Sequence, residues 1–220
     1  VRAFTGEDFS PKQEEREISN TPSKIEEGDP EAFLKSVVSL RDRVRKGEFK
    51  QIVPSRRFTL PCNDPLAAYI RLKEDAPSPY LFYLQDRDFI LFGASPESAL
   101  KYHPETRSLE LYPIAGTKPR GRRGEVIDPE LDSEMAKELL NDPKEVAEHL
   151  MLVDLAVEDL SQVAEVGSVH IAEQMKIDRY AYVMHLVSRV TATLAPEFDP
   201  LDAYLACMNM GTLTGSPKVP

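Results

Sequence analysis

A chain of 220 residues, 41% hydrophobic and 29% charged, has the length and composition of a soluble protein with one large domain and a sizeable core. Its formal net charge of −10 lacks the basic footprint that general nucleic-acid binding requires, and no apolar run reaches the length of a membrane span. The two cysteines, Cys62 and Cys207, make neither a disulfide framework nor a zinc pattern, which fits the reducing cytoplasm. An anionic small substrate stays open, because local charge clusters decide that.

Residues 1–30 are polar with little periodicity, as in a linker or the remnant of an N-terminal subdomain. The chain starts without an initiator Met or signal peptide and stops without a helix cap, so both ends read as cuts. Five Asp-Pro pairs, at 29–30, 64–65, 128–129, 142–143 and 199–200, each predict a helix start. Asp accepts hydrogen bonds from free N–H groups there, and Pro suits the first helical position. The first helix is predicted over 30–46, with Phe33, Val37, Leu40 and Val44 on one face and Gly47 just past its end. A strand follows over 51–60, then a short helix over 65–73. Strands over 80–85 and 89–93 form a hairpin around Asp86-Arg87-Asp88, and 98–102 with 108–112 continue an antiparallel meander. Residues 118–124 read as a basic loop, solvated or attracting an anion. Helices over 129–140 and 143–160 precede β-rich stretches at 168–172 and 182–194 and a last helix from Pro200. The order predicts an α+β fold, mainly antiparallel sheets packed with outer helices.

Several side chains have two readings. Glu145 and Glu148 lie three apart on one helix face, suited to a hard cation such as Mg2+ or to solvent. Glu145 also has capping-box spacing from Asp142, whereas Glu148 lies among Val146, Ala147, Leu150 and Met151. His185 is either a core histidine on an apolar strand or a proton carrier. Glu97 is a turn carboxylate or, if burial raises its pKa, a general acid. Gly116-Thr117 and the small-residue stretch 211–215 with Thr212 can bring N–H groups to an anion, but neither is a P-loop.

From Phe33 onward the chain closely resembles the chorismate-utilising enzymes, in the branch of anthranilate synthase component I. The stretches that carry this are QIVPSRRF at 51–58, FGASPESALKY at 92–102, YPIAGTKPRGRR at 112–123, EHLMLVDL at 148–155, DRYAYVMHLVSRV at 178–190 and ACMNMGTLTGSPKV at 206–219. The resemblance implies an incomplete chorismate-binding fold, with 31–220 as a partial catalytic domain. It implies that chorismate and ammonia yield anthranilate and pyruvate. Relatives that add water carry a Lys matching Gln51, and those that make aminodeoxychorismate carry one matching Ala115. Gln51 and Ala115 offer neither a base nor a nucleophile, so ready-made ammonia fits.

By the same resemblance Glu97 is the general acid, His185 serves pyruvate elimination, and Glu148 with Glu145 holds Mg2+. Ala115, Gly116, Thr117, Thr212 and Gln51 then line the substrate pocket. A glutamine amidotransferase subunit supplies the ammonia. Tryptophan inhibits, and Pro77, Leu81, Phe82, Gly93 and Arg189 match inhibitor-contacting positions. The family's DLARNDL becomes Asp154–Leu160 with Val157-Glu158 for Arg-Asn, a charge change expected close to the site. Two other readings remain: the sibling aminodeoxychorismate synthase component I, and a degenerate non-catalytic domain of the family.

Overall fold

The computed structural model describes residues 26–216; the rest of the predicted N-terminal linker, 1–25, and residues 217–220 lie outside them. In chain order come strand β1 (Glu26–Glu27), helix α1 (Pro30–Arg45), β2 (Phe58–Thr59), α2 (Pro65–Asp75) and the hairpin β3 (Tyr80–Gln85) and β4 (Ile90–Ser95). Strands β5 (Lys101–His103), β6 (Ser108–Leu111), β7 (Ile114–Pro119), β8 (Arg122–Arg123) and β9 (Val126–Ile127) follow. Helices α3 (Pro129–Asn141) and α4 (Pro143–Ser161) precede the long hairpin of β10 (His170–Arg179) and β11 (Val183–Thr193), and α5 (Pro200–Cys207) and α6 (Gly211–Thr214) end the described chain.

All five Asp-Pro pairs start helices. Asp29, Asp64, Asp128, Asp142 and Asp199 each accept a backbone N–H of the first turn, and Pro occupies the opening position every time. Helix α1 stops at Arg45, and Gly47 just beyond it takes φ +78°, a conformation that a Cβ disfavours.

Strand β11 is the axis of the main sheet, in the order β10-β11-β6-β5 with β7 also paired to β11, and every pairing is antiparallel. Met184, Leu186, Ser188 and Val190 alternate on its buried face, against α3 and α4. Leu109, Leu111, Val153, Leu160, Val190 and Leu194 form one core cluster, and Ala136, Leu139, Met184 and Leu186 another. The second anchors the end of β11 that carries His185.

Three expectations are corrected. The strand over 51–60 is reduced to a single bridge from Gln51 to Ser216 and the two residues of β2 paired to β1, because the backbone between them finds no ladder among the described residues. The stretch 211–215 contains a helical turn, α6, rather than an open loop. The basic loop over 118–124 is partly strand, and Arg120 and Arg122 face inward while Arg123 is exposed and pairs with Asp128. Arg120 donates through its backbone to Tyr182 O and through Nη1 to Tyr180 O, and Arg122 Nη2 donates to Ala181 O at 2.7 Å. The loop therefore clamps the β10–β11 turn, and its charge is used on carbonyls instead of on an outside anion.

Asp132, 5% exposed, holds this clamp. Its carboxylate accepts from Arg120 at 2.7 Å, from Gly121 N at 2.9 Å and from Arg179 at 2.9 Å. Gly121 has no space for a side chain, since a Cβ there would lie 2.1 Å from Asp132 N. Hydrogen bonding from Arg120 is the largest cause that drives the Asp132 carboxyl far below the usual carboxylate range, ahead of the opposing effect of burial. The lowered value means that its stabilisation is complete above the ordinary 3.8 and fades as pH falls below it. Asp132→Ala, which removes the carboxylate partner of the largely buried Arg120 guanidinium, should destabilise the intact protein by about 3–5 kcal/mol in urea unfolding. A loss under about 1 kcal/mol would show that the clamp is only a surface feature.

Candidate functional site

Most of the sequence-derived candidates fall into two groups, one on the β7–β11 pair and one around α4. The first group is built on a bulge. Val187 pairs with Ile114 and Leu186 with Ala115, but His185 pairs with Thr117, so Gly116 is the extra residue. Gly116 has φ +78°, and a Cβ on it would lie 3.0 Å from Leu186 Cδ1, so the bulge needs glycine for both conformation and space. The bulge points the Gly116 carbonyl at His185 Nδ1 (3.3 Å) and places Thr117 Oγ1 2.9 Å from the same nitrogen. A carbonyl only accepts, so Nδ1 carries the proton and Nε2 keeps its lone pair. Burial lowers the His185 pKa, with the Gly116 carbonyl opposing in part, so the ring is neutral at neutral pH.

Tyr180, missed in the sequence, stacks edge-on against the His185 ring with centroids 5.4 Å apart. Both line a hollow of ≈ 240 Å³ with Pro77, Pro96 and Tyr182. The β10–β11 turn held by Arg120 and Arg122 thus fixes the wall beside His185.

The second group surrounds Glu148 on α4. Gln51 Nε2 donates to Glu148 Oε1 at 3.3 Å, and the Gln51 backbone pairs with Ser216 just beyond α6. Gly215 allows that approach, since a Cβ there would meet Gln51 O at 2.4 Å. Gln51 Oε1 is buried and without a hydrogen-bond partner among the described residues. Glu145 pairs with Lys144 at 3.0 Å, and the capping-box reading of it is corrected: Asp142 caps α4 alone, its own N–H going to Leu139 O. Two half-buried carboxylates and a free amide oxygen are hard oxygen donors of the kind Mg2+ takes, together with water and substrate oxygens. No cluster of three His, Cys, Asp or Glu side chains exists among the described residues, so a closed protein cage is not built there.

Glu97 follows β4 in a turn where its N–H donates to Ser95 Oγ at 3.0 Å. It lines a mostly apolar cavity of ≈ 300 Å³ with Tyr112, Ile114, Leu152, Gly211 and Leu213. Burial raises its pKa. Thr212 belongs to α6, but its side chain is outside those described.

Among the inhibitor-matching positions, Phe82 lies opposite Gly93, where a Cβ would strike the Phe82 ring at 2.7 Å, and Leu81 pairs with Ala94. Arg189 belongs to the other sheet and pairs with Glu173 at 3.4 Å and Glu110 at 3.7 Å. Val157-Glu158 lies between Ala156 and Asp159, which line the Glu97 cavity, but far along α4 from Glu148. At 1.5 Å rise per residue, position 158 lies about 15 Å along α4 from Glu148. Glu158 is exposed, and Val157 packs on the first core cluster.

The sequence also passed over His149. It is completely buried, next to Glu148, with Nε2 2.6 Å from Ser188 Oγ. Its position among Leu152, Val153 and Ala156 at helical spacing was the available signal.

This arrangement matches a family model described as chorismate binding enzyme over residues 4–220. The chain belongs to the chorismate-binding enzymes. Within them it is 59% identical over 193 residues to anthranilate synthase component 1 of Haemophilus influenzae, an alignment covering 87% of this chain and 37% of that relative. It is 57% identical over 190 residues to anthranilate synthase component 1 of Escherichia coli, covering 86% and 36%. The crystal structure of anthranilate synthase component I from Streptococcus pneumoniae superposes with a TM-score of 0.79 at 34% identity, covering 90% of this chain and 42% of that one. The chain therefore spans little more than a third of the length of the curated relatives it matches. Its α+β, antiparallel architecture is that of this family.

His149 and His185 should both titrate below the ordinary 6.5 when followed by imidazole NMR in the intact protein. Lowered values mean that the folded state loses stability to the unfolded chain as pH falls from 6.5 through them. A His185 that titrates at or above 6.5 would remove the basis for a free Nε2 at neutral pH.

Proposed function

We propose that this chain is part of the catalytic subunit of an anthranilate synthase, working in the cytoplasm on chorismate in tryptophan biosynthesis. The observation that carries this is the pair Gln51 and Ala115. Gln51 spends its amide N–H on Glu148, and Ala115 has no functional group, so neither position supplies a base or a nucleophile. Ammonia is then the nucleophile, delivered by a glutamine amidotransferase subunit. The similarity to proteins named anthranilate synthase component 1 supports the same choice.

In the first step ammonia adds at ring C2 while the C4 hydroxyl leaves as water. Glu97, with its raised pKa, keeps a proton for that hydroxyl at pH values where an ordinary carboxyl has lost it. In the second step His185 Nε2 removes the C2 proton of the amino intermediate, and the enolpyruvyl group leaves C3 as pyruvate, giving anthranilate. The Gly116 carbonyl and Thr117 hydroxyl hold the ring in the tautomer this needs and face the imidazolium that forms. Glu148 and Glu145, with Gln51 Oε1 beside them, would hold Mg2+, which supplies a positive charge for the ring carboxylate. Ala115, Gly116, Thr117, Thr212 and Gln51 line the pocket in this reading. Feedback inhibition by tryptophan would use Pro77, Leu81, Phe82 and Gly93 on the hairpin side and Arg189 on β11.

In the intact enzyme, Glu97→Gln should slow consumption of chorismate by about 10²–10⁴-fold. His185→Ala should let the amino intermediate accumulate while pyruvate release slows by a similar factor. Glu148→Gln should abolish the dependence of anthranilate fluorescence on Mg2+ concentration. The rate should fall at high pH as Glu97 loses its proton and at low pH as His185 gains one, which a pH–rate profile checks. An aminated product formed with no pyruvate would replace this function with aminodeoxychorismate synthesis. No product at all from the intact protein would favour a non-catalytic domain.

A further inference from the structure

We propose that Tyr180 is a positioning residue for the His185 imidazole, and that the Arg120–Asp132 clamp serves the reaction through it. The proposal rests on His185 being the base of the pyruvate-releasing step.

His185 stands on a central strand. Strand β10 pairs with β11 at Ile177–Leu186, Asp178–His185 and Arg179–Met184, while β7 pairs with the same stretch from Val183 to Val187, so the two lie along opposite edges of β11. From the β7 edge the imidazole is held at one atom, with Thr117 Oγ1 2.9 Å and Gly116 O 3.3 Å from Nδ1. Contacts at a single nitrogen leave the ring free to swing about it, because the χ2 torsion of histidine is broad. The end of β10 supplies a second contact of another kind. The Tyr180 ring meets the imidazole edge-on, with centroids 5.4 Å apart and planes at 61°. Anchoring at Nδ1 and an aromatic ring against the imidazole together fix its plane, and the plane decides where Nε2 points.

Asp178 stands directly opposite His185 in the register. A carboxylate on the imidazole would stabilise its charged form and spoil a neutral base. Asp178 pairs with Lys176 at 3.4 Å, and the aromatic ring two residues further on packs against the imidazole. The diagonal neighbour thus makes the contact that the direct one does not.

The turn that carries Tyr180 is held at all four of its carbonyls. Tyr180 O accepts from Arg120 Nη1 at 2.6 Å and Ala181 O from Arg122 Nη2 at 2.7 Å. Tyr182 O accepts from the Arg120 N–H at 2.9 Å, and Val183 O from the Tyr180 N–H at 2.8 Å. The β3–β4 turn, which carries no candidate residue, is closed locally by Asp86 N–H to Phe89 O and by Arg87 N–H to the Asp86 carboxylate. Arg120, 15% exposed, uses all three guanidinium nitrogens, Nε and Nη2 on Asp132 and Nη1 on Tyr180 O. Lysine has one nitrogen and cannot span both partners with this fixed fork. The clamp therefore sets the backbone of Tyr180, and the ring of Tyr180 sets the imidazole.

The test uses the intact enzyme as Tyr180→Ala, Tyr180→Phe, Arg120→Lys and the double variant of Tyr180→Ala with Arg120→Lys, beside His185→Ala. Pyruvate release, the imidazole NMR titration of His185 and the melting temperature are measured on each. Tyr180→Ala should lower kcat for pyruvate release by about 10–100-fold, the scale of a displacement near 1 Å, with KM for chorismate little changed. The His185 titration, and the acid limb of the pH–rate profile with it, should move up toward the ordinary 6.5 as water reaches the ring. Tyr180→Phe, which keeps the ring, should recover most of both. Arg120→Lys should lower kcat on its own and add no further kcat loss in the Tyr180→Ala background, while lowering the melting temperature in both. An unchanged kcat and His185 titration in Tyr180→Ala would overturn the proposal, as would a loss in Tyr180→Phe equal to that in Tyr180→Ala. An equal kcat loss from Arg120→Lys in the two backgrounds would overturn the action of the clamp through Tyr180. Should His185→Ala leave pyruvate release intact, the base is wrong and its positioning falls with it. Should His185→Ala slow release where Tyr180→Ala does not, the base stands and the positioning proposal alone falls.

Discussion

The extra residue at Gly116 is the constraint on which the site depends. With regular pairing beyond Leu186 and Ala115, Gly116 would face His185 and Thr117 would face Met184. A threonine hydroxyl would then point into the cluster of Met184, Leu186 and Leu139, where nothing could satisfy it. The bulge resets the alternation by one, so the hydroxyl and a freed carbonyl both come to the imidazole while the apolar side chains stay on the core face. Glycine takes the positive φ without strain, and a Cβ here would have to displace Leu186 Cδ1, 3.0 Å away.

A bulge held only by its own ladder would be soft. Three buried polar assemblies stiffen its surroundings. Asp132 gathers Arg120, Arg179 and Gly121, and the arginines of the loop after β7 reach the carbonyls of the turn before β11. That turn carries Tyr180, which packs on His185. Ser188 and His149 tie β10, β11 and α4 together behind it. Gln51 and Ser216 bring the end of the described chain against Glu148. Each assembly joins segments distant in sequence, and each ends within a residue or two of a candidate functional group.

Two titratable groups are pushed in opposite directions by the same cause. Burial raises Glu97, which favours a held proton, and lowers His185, which favours a free lone pair. Burial at each of the two positions thus favours a proton on the carboxyl and a free lone pair on the imidazole, which suits a reaction that protonates a leaving hydroxyl and then abstracts a proton.

The helices were legible from sequence because their determinants are local. An Asp that caps its own helix and a Pro that opens it act within four residues, and all five such pairs behave alike. The hairpin around Asp86–Asp88 and the antiparallel meander were legible for the same reason, through alternation and turn chemistry. The resemblance of the motifs supplied the family. The expected strand over 51–60 shrank because a strand exists only where a partner ladder does. The inward use of Arg120 and Arg122 was hidden because a guanidinium in a loop looks the same whether it meets solvent or a carbonyl. His149 was hidden because one histidine on an apolar helix face says nothing about the serine opposite it. The sequence alone therefore determined the helix starts, the hairpin around Asp86–Asp88 and the family, all read over short distances, whereas β10 extends to Arg179, well past the β-rich stretch expected over 168–172. Tertiary structure alone decided the Gly116 register, the Asp132 clamp and the partner of His149, since each depends on which distant segments share a buried space.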